Sequence, residues 1–369
     1  MSAYASSRKS LSVEFIHFIL FCRVKVQKNT VLTVLFVFLY PNNALMDIAS
    51  VIQAPISAEL EDFRQLFARS LSSSNPLLNS VIEHIRQRSG KMMRPMLVLL
   101  SAKLCGAVSS AALHAAVALE LLHNASLVHD DVVDESGERR GQLSVNAVFN
   151  NKVAVLSGDY LLATALVQVA LTRNHDIIDV VSALGQDLAD GELLQLSNVG
   201  NTDFSESVYF EIIHKKTAVL FAACTKCGAL SAGASAEDVE KARLFGEYIG
   251  LCFQIKDDIF DYYEDKQIGK PTGNDMHEGK LTLPVLHVLN STGDEEARAI
   301  ALRVKSGTAS ADEIGRLVAF TKENGGIEYA ERVMRDYREK AFALLPTTAD
   351  TAVRQSLEAY LNYVVERQK

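Results

Sequence analysis

From Met46 onward, apolar residues recur every three to four positions, the spacing of one face of an α-helix. The pattern predicts helices over 58–67, 97–104, 111–129, 153–171, 177–196, 218–232, 239–261 and 283–289. Several are apolar nearly all round, which marks helices buried in an interior rather than lying on a surface. No stretch shows the two-residue alternation of a half-buried strand. Short polar runs at 72–76, 136–137, 150–151, 198–201, 269–279, 291–293 and 324–326 punctuate the pattern. None is long enough to link two domains. The expectation is one all-α domain over 46–369.

Residues 1–45 differ in character. Arg8, Lys9, Arg23, Lys25 and Lys28 stand against one acid, Glu14, a net of +4. Two apolar runs, 15–22 and 31–40, lie here, each shorter than the roughly 18–20 residues that span a bilayer. No small-x-small cleavage site follows cleanly. The segment reads as a dispensable extension or start-site artefact, with a targeting or anchoring role as the other reading.

Composition agrees with the helical pattern. The 369 residues include only 20 Gly and 7 Pro, too few for a loop-rich or many-stranded fold. A formal charge of −8, or −12 without the first 45 residues, argues against a nucleic-acid partner, which requires a basic face. Five Cys in so long a chain do not make a disulfide scaffold, so a reducing compartment, the cytoplasm, is expected, with membrane association open.

The chemistry concentrates in two clusters of identical spacing, Asp130-Asp131-Val132-Val133-Asp134 and Asp257-Asp258-Ile259-Phe260-Asp261. In helical register the first and last Asp of each share a face. Carboxylates at a helix C-terminal end oppose the macrodipole and repel one another. A cation must offset them, and hard oxygen donors suit Mg²⁺, whose open positions take water and phosphate oxygens. One such cluster alone reads as a solvated helix end; its recurrence after two apolar helices argues for metal and phosphate. Lys91, Arg94, Arg139 and Arg140 lie in short polar segments, and Lys270 and Lys280 bracket a Gly-rich loop after the second cluster. Arg suits bidentate phosphate contacts and Lys a point-charge contact. No P-loop pattern is present. Cys224 and Cys227 form a C-x-x-C without a second pair and read as core thiols. His129 supports either the cluster or local packing. The Tyr262-Tyr263 pair belongs to core or interface.

These motifs together resemble the trans-isoprenyl diphosphate synthases, in particular their long-chain polyprenyl members. The resemblance runs through Gly90-Lys91-Met92-Met93-Arg94-Pro95, the 122–129 stretch entering the first Asp cluster, Arg139-Arg140-Gly141, Gly191-Glu192-Leu193-Leu194-Gln195-Leu196, Lys216-Thr217, and Phe253-Gln254-Ile255-Lys256 entering the second. Ser89 and Met92 depart from the usual G-G-K-R-x-R-P, but Lys91 and Arg94 remain. The resemblance implies an isoprenoid synthase fold of antiparallel helices around a central cavity, and a homodimer.

It also implies roles. Asp130, Asp134, Asp257 and Asp261 would ligate Mg²⁺, three ions with substrate bound, across an allylic diphosphate, farnesyl or geranylgeranyl. Arg139, Lys216, Lys270 and Lys280 would contact that diphosphate. Lys91, Arg94, His123 and Arg140 would hold isopentenyl diphosphate, and Thr217 and Gln254 would border the reacting carbons. His123 lies seven residues before Asp130, on the same helix face, which fits its assignment. The family's chain-length gate falls on Ala125 and Ser126; both are small, so the growing chain is expected to pass toward a floor at Leu122, Leu166 or Val169. The implied product is a C30–C50 polyprenyl diphosphate handed to membrane enzymes for a quinone side chain or other lipid carrier. A non-catalytic subunit of a heteromeric synthase and a class I terpene cyclase are the alternatives. The first typically lacks an Asp cluster; the second usually carries an N-D-x-x-S-x-x-x-E motif.

Overall fold

The computed structural model describes residues 48–87, 92–139, 141–263, 272–347 and 349–367. The 1–45 extension and three of the expected phosphate contacts, Lys91, Arg140 and Lys270, lie outside the described residues. Among the described residues there are seventeen α-helices: α1 Ile48–Gln53, α2 Ser57–Ser70, α3 Pro76–Gln87, α4 Met93–Cys105, α5 Ser110–Val133, α6 Val145–Phe149, α7 Asn151–Leu171, α8 His175–Val199, α9 Glu206–Ile213, α10 Val219–Ser231, α11 Ala236–Phe260, α12 Asn274–His277, α13 Leu283–Thr292, α14 Glu295–Lys305, α15 Ala311–Glu323, α16 Gly326–Leu344 and α17 Thr351–Glu366. The all-α expectation is borne out. The sole pairing of strands among the described residues is a two-residue hairpin, β1 Glu138–Arg139 with β2 Gln142–Leu143, antiparallel with Arg139 opposite Gln142.

The helices apolar all round are the interior ones. In α4 every residue from Pro95 to Ala102 is buried, and in α5 half of the residues are buried, between Ala112 and Asp131. The most extensive packing joins α5 to α7, α10 to α11, α11 to α16 and α10 to α4. Short turns connect α4 to α5 and α10 to α11, so these neighbours run antiparallel. Side-chain caps fix where the long helices begin. Ser109 accepts from the Ala112 N–H at the start of α5, and Ser235 from the Asp238 N–H at the start of α11. Gly250 lets α11 approach closely, since a Cβ there would stand 2.5 Å from Ala218 Cα. That approach brings Gln254, one turn further on, against Thr217.

Two helices, α5 and α7, are long and apolar enough to cross a membrane by length and composition. α5 lies in the core. α7 buries one face against α5 and leaves Val155, Leu156, Leu162, Leu166, Val167 and Leu171 exposed on another. Leu166, a candidate for the tunnel floor, therefore points outward, whereas Leu122 and Val169 are buried. Tyr262 is in the core; Tyr263 is exposed, with the Lys322 ammonium 4.8 Å from its ring centre.

Candidate active site

The first Asp cluster closes α5. Asp130 is half-buried, Asp131 buried and Asp134 exposed. Asp134 caps the helix, its N–H donating to the Asp130 carbonyl at 2.8 Å. Arg139 reaches back from β1, and its Nε donates to Asp131 Oδ1 at 2.5 Å. The hairpin is pinned under the cluster by Asn146, whose Nδ2 donates to the carbonyls of Asp131 and Ser136 at 3.0 and 3.1 Å. Burial pushes the Asp130 carboxyl up to about 6, and the nearby Glu192 adds to the rise; Lys216 and Arg139 oppose it.

The second cluster closes α11, and each of its acids has different company. Asp257 Oδ1 accepts from Arg367 Nη2 at 2.6 Å. Asp258 is buried and accepts from Tyr209 Oη at 2.5 Å and Gln254 Nε2 at 2.9 Å. Asp261 accepts the N–H groups of Asn274 and Asp275 at 2.9 and 3.1 Å, anchoring the segment that leads into α12. Burial raises Asp257 and Asp261 above the usual carboxylate range, and pushes Asp258 up to about 7 against the pull of its two donors. Asp275 is raised by burial and by the neighbouring Asp258 and Asp261.

One of the cations near the clusters, Lys216, is presented by a break in helical geometry. Residues His214–Ala218, directly after α9, form a π turn, a widened turn that often marks functional sites. It presents Lys216 and Thr217. Gly191 on α8 makes room for this turn, because a Cβ there would stand 2.8 Å from Lys215 Cβ. Lys216 Nζ thereby meets Glu192 Oε1 at 2.7 Å and Gln195 Oε1 at 2.9 Å. The Gly-Glu-x-x-Gln spacing in the sequence thus places a backbone approach and two lysine partners on one helix face. Lys280 Nζ donates to Glu278 Oε2 at 2.6 Å and sits within electrostatic reach of Asp134 and Asp275, which raise it; burial opposes them. Lys216, Thr217, Gln254, Asp258, Asp275 and Lys280 line one cavity of about 200 Å³.

Arg94 and His123 line a second, larger cavity of about 550 Å³, together with Arg367 and an aromatic wall that includes Phe221 and Phe253. Arg94 lies in the first turn of α4, where helix N–H groups favour an anion. Its guanidinium carbon sits 5.7 Å from the Phe221 ring centre, and its buried Nε has no hydrogen-bond partner among the described residues. A buried donor left open in this way fits a phosphate oxygen.

No three carboxylate, imidazole or thiol side chains among the described residues lie close enough to enclose an ion by themselves. What the clusters offer is oxygen donors only, from the buried Asp131 and Asp258 to the exposed Asp134. That donor set fits Mg²⁺, which takes few protein ligands and completes its octahedron with water and substrate phosphate.

Ala125 is buried in α5, and Ser126, half-buried, donates to the His123 carbonyl at 2.9 Å. His129 packs on α7, its Nε2 donating to the Val155 carbonyl at 3.2 Å and lying 3.5 Å from Asp159. Cys224 and Cys227 are fully buried thiols; burial raises both, Cys227 to about 12, so they are core residues rather than ligands. Sequence reasoning missed Tyr209 and Arg367 altogether, and gave Asp258, Asp275 and Glu192 no role. Glu192, Asp258 and Asp275 lie inside motifs already singled out and so carry a usable signal, whereas Tyr209 and Arg367 lie in none.

The family model described as Polyprenyl synthetase matches residues 75–320. The chain is 34% identical over 300 residues to the octaprenyl diphosphate synthase of Escherichia coli (strain K12), covering 81% of this chain and 93% of that one. Among solved structures, geranylgeranyl pyrophosphate synthase from Bacteroides thetaiotaomicron is 60% identical, with a TM-score of 0.77 over 87% of this chain and 100% of that one. A decaprenyl diphosphate synthase from Rhodobacter capsulatus is 33% identical, with a TM-score of 0.82 over 87% of this chain and 99% of that one.

Proposed function

Because this chain belongs to the polyprenyl synthetase family, we propose that it condenses an allylic diphosphate, farnesyl or geranylgeranyl, repeatedly with isopentenyl diphosphate. The observation that carries the reading is the placing of Lys216 and Lys280 between two carboxylate clusters that bring hard oxygen donors to one end of the helix bundle. Both clusters are complete, which speaks against a non-catalytic subunit, and the second is an Asp cluster, unlike that of a terpene cyclase.

Asp130, Asp134, Asp257 and Asp261 would hold Mg²⁺, which when bound draws charge off the diphosphate as its C–O bond breaks. Lys216, Lys280 and Arg139 add fixed positive charge at the same place. Lys216 must exchange Glu192 for the diphosphate, and Lys280 must exchange Glu278, so the apo pairs hold both ammonium groups ready. Thr217 and Gln254 border the allylic cation with oxygen atoms. Arg94 and His123 hold the second diphosphate, and the isopentenyl double bond attacks the cation. The departing diphosphate takes the proton released.

The product proposed is C30–C50, made in the cytoplasm by a homodimer and passed to membrane-bound enzymes. The exposed apolar face of α7 supports the dimer: six large apolar side chains on one helix are more than a monomer surface usually leaves uncovered. The solved structure at 60% identity is titled a geranylgeranyl pyrophosphate synthase, which favours C20 as a second reading of length. Incubation with Mg²⁺, farnesyl diphosphate and labelled isopentenyl diphosphate, followed by dephosphorylation and sizing, decides between them. Products of C30 or longer are expected; a stop at C20 supports the second reading, and no incorporation by the protein alone overturns the proposal.

A further inference from the structure

A line of hydrogen bonds runs along the wall of the smaller cavity. Thr217 Oγ1 donates to Gln254 Oε1 at 2.8 Å, Gln254 Nε2 donates to Asp258 Oδ1 at 2.9 Å, and Tyr209 Oη donates to Asp258 Oδ2 at 2.5 Å. Tyr209 and Asp258 are both buried, 6% and 3% exposed, and both line that cavity.

The polarity of each link is fixed by the one beyond it. Asp258 accepts at both oxygens, from the Gln254 NH₂ and from the Tyr209 hydroxyl, which leaves the Gln254 oxygen facing Thr217. The hydroxyl proton of Thr217 is spent on that oxygen. The cavity wall therefore presents two oxygen atoms, Gln254 Oε1 and Thr217 Oγ1, where positive charge develops. The reversed amide has nearly the same shape but would present N–H groups to a cation. Shape alone does not choose between the two; Asp258 does. Asp258 in turn has two oxygens and one rotatable carboxyl, and Tyr209 occupies the oxygen that Gln254 does not.

The π turn is what allows one helix to supply both ends of this line. Tyr209 and Thr217 are eight residues apart, which in a regular α-helix would place them about 80° apart around the axis. One extra residue in the widened turn reduces this to the angle of a seven-residue separation, about 20°, so both face α11. On α11, Gln254 and Asp258 are one turn apart and face back.

We propose that Tyr209 is a positioning residue for prenyl transfer: through Asp258 it locks the Gln254 amide with its oxygen toward the reacting carbons. This rests on the prenyl-transfer reading above. The test is a double-mutant cycle on the full chain, with kcat and KM measured for farnesyl and isopentenyl diphosphates. Tyr209→Phe should lower kcat roughly ten- to a hundredfold, the scale of one misaimed dipole in a charge-stabilising site, with both KM values within about twofold. In a Gln254→Ala background the same substitution should cost nothing further, because the residue it acts through is gone. A purely structural tyrosine would cost the same factor in both backgrounds. Equal losses in both backgrounds, an unchanged kcat, or a loss confined to KM overturns the proposal. If Tyr209→Phe does not fold, Asp258→Asn takes its place under the same criterion, since an amide there either donates or accepts and releases the lock. Wild-type turnover in the same assay separates the two claims: its absence removes the prenyl-transfer reading, whereas its presence with additive losses removes only the role of Tyr209.

Discussion

Asp130→Ala should lower isopentenyl transfer by about three orders of magnitude or more while the protein stays folded, and Asp257→Ala should do nearly the same. A thousandfold loss is about 4 kcal/mol of transition-state stabilisation. That is the scale expected when a metal ligand beside a departing diphosphate is removed. The fold should survive because neither carboxylate supports it. Asp130 is part-buried, and its burial and the charge of Glu192 hold it above the ordinary carboxylate range. Asp257 has one cationic partner, Arg367, whose guanidinium also rests 4.0 Å from the Phe253 ring centre and keeps that contact. Steady-state turnover alongside thermal melting checks both points. Near-normal turnover in either variant would sink the metal assignment.

Ala125→Phe should shorten the main product by two or more isoprene units. Ala125 stands five residues before Asp130 on α5, so a ring there meets the chain soon after it leaves the metal end. Close-packed interiors do not yield to a bulky insertion, so the ring must displace something. At a buried position, overpacking also costs about 1–3 kcal/mol of stability, and melting should show it. Ser126→Phe, at the half-buried neighbouring position, should shorten the product at a smaller cost in stability. Products of unchanged length from folded Ala125→Phe and Ser126→Phe proteins would refute the gate.

Much of this molecule is legible in its sequence because its helices are buried. The apolar run of 111–129 anticipates most of α5, and the cap at Ser109 sets its start. The run of 239–261 likewise anticipates α11. Helices toward the C-terminus, such as α14 and α15, were not anticipated, since their mixed-charge faces weaken the apolar period. The π turn leaves no periodic signature, because it inserts a single residue into an otherwise ordinary helix. In the site, the paired Asp clusters are visible because spacing repeats. Partners brought in from far along the chain are not. Tyr209 meets Asp258 across 49 residues, and Arg367 meets Asp257 across 110. An isolated tyrosine and a C-terminal arginine carry no local pattern that distinguishes them from packing or surface residues. The identity of Gly191 makes sense only beside the π turn it accommodates.

The central claim is that the two Asp clusters and a substrate diphosphate hold metal together. Electron paramagnetic resonance of Mn²⁺, as a spin-active substitute for Mg²⁺, measures this directly when titrated with and without a non-ionising farnesyl thiolodiphosphate. The account predicts weak Mn²⁺ binding to the protein alone, tight binding of more than one ion once the analogue is present, and loss of the tight ions in Asp130→Ala. Mn²⁺ binding that is equally tight without the analogue, or unchanged by Asp130→Ala, would contradict it.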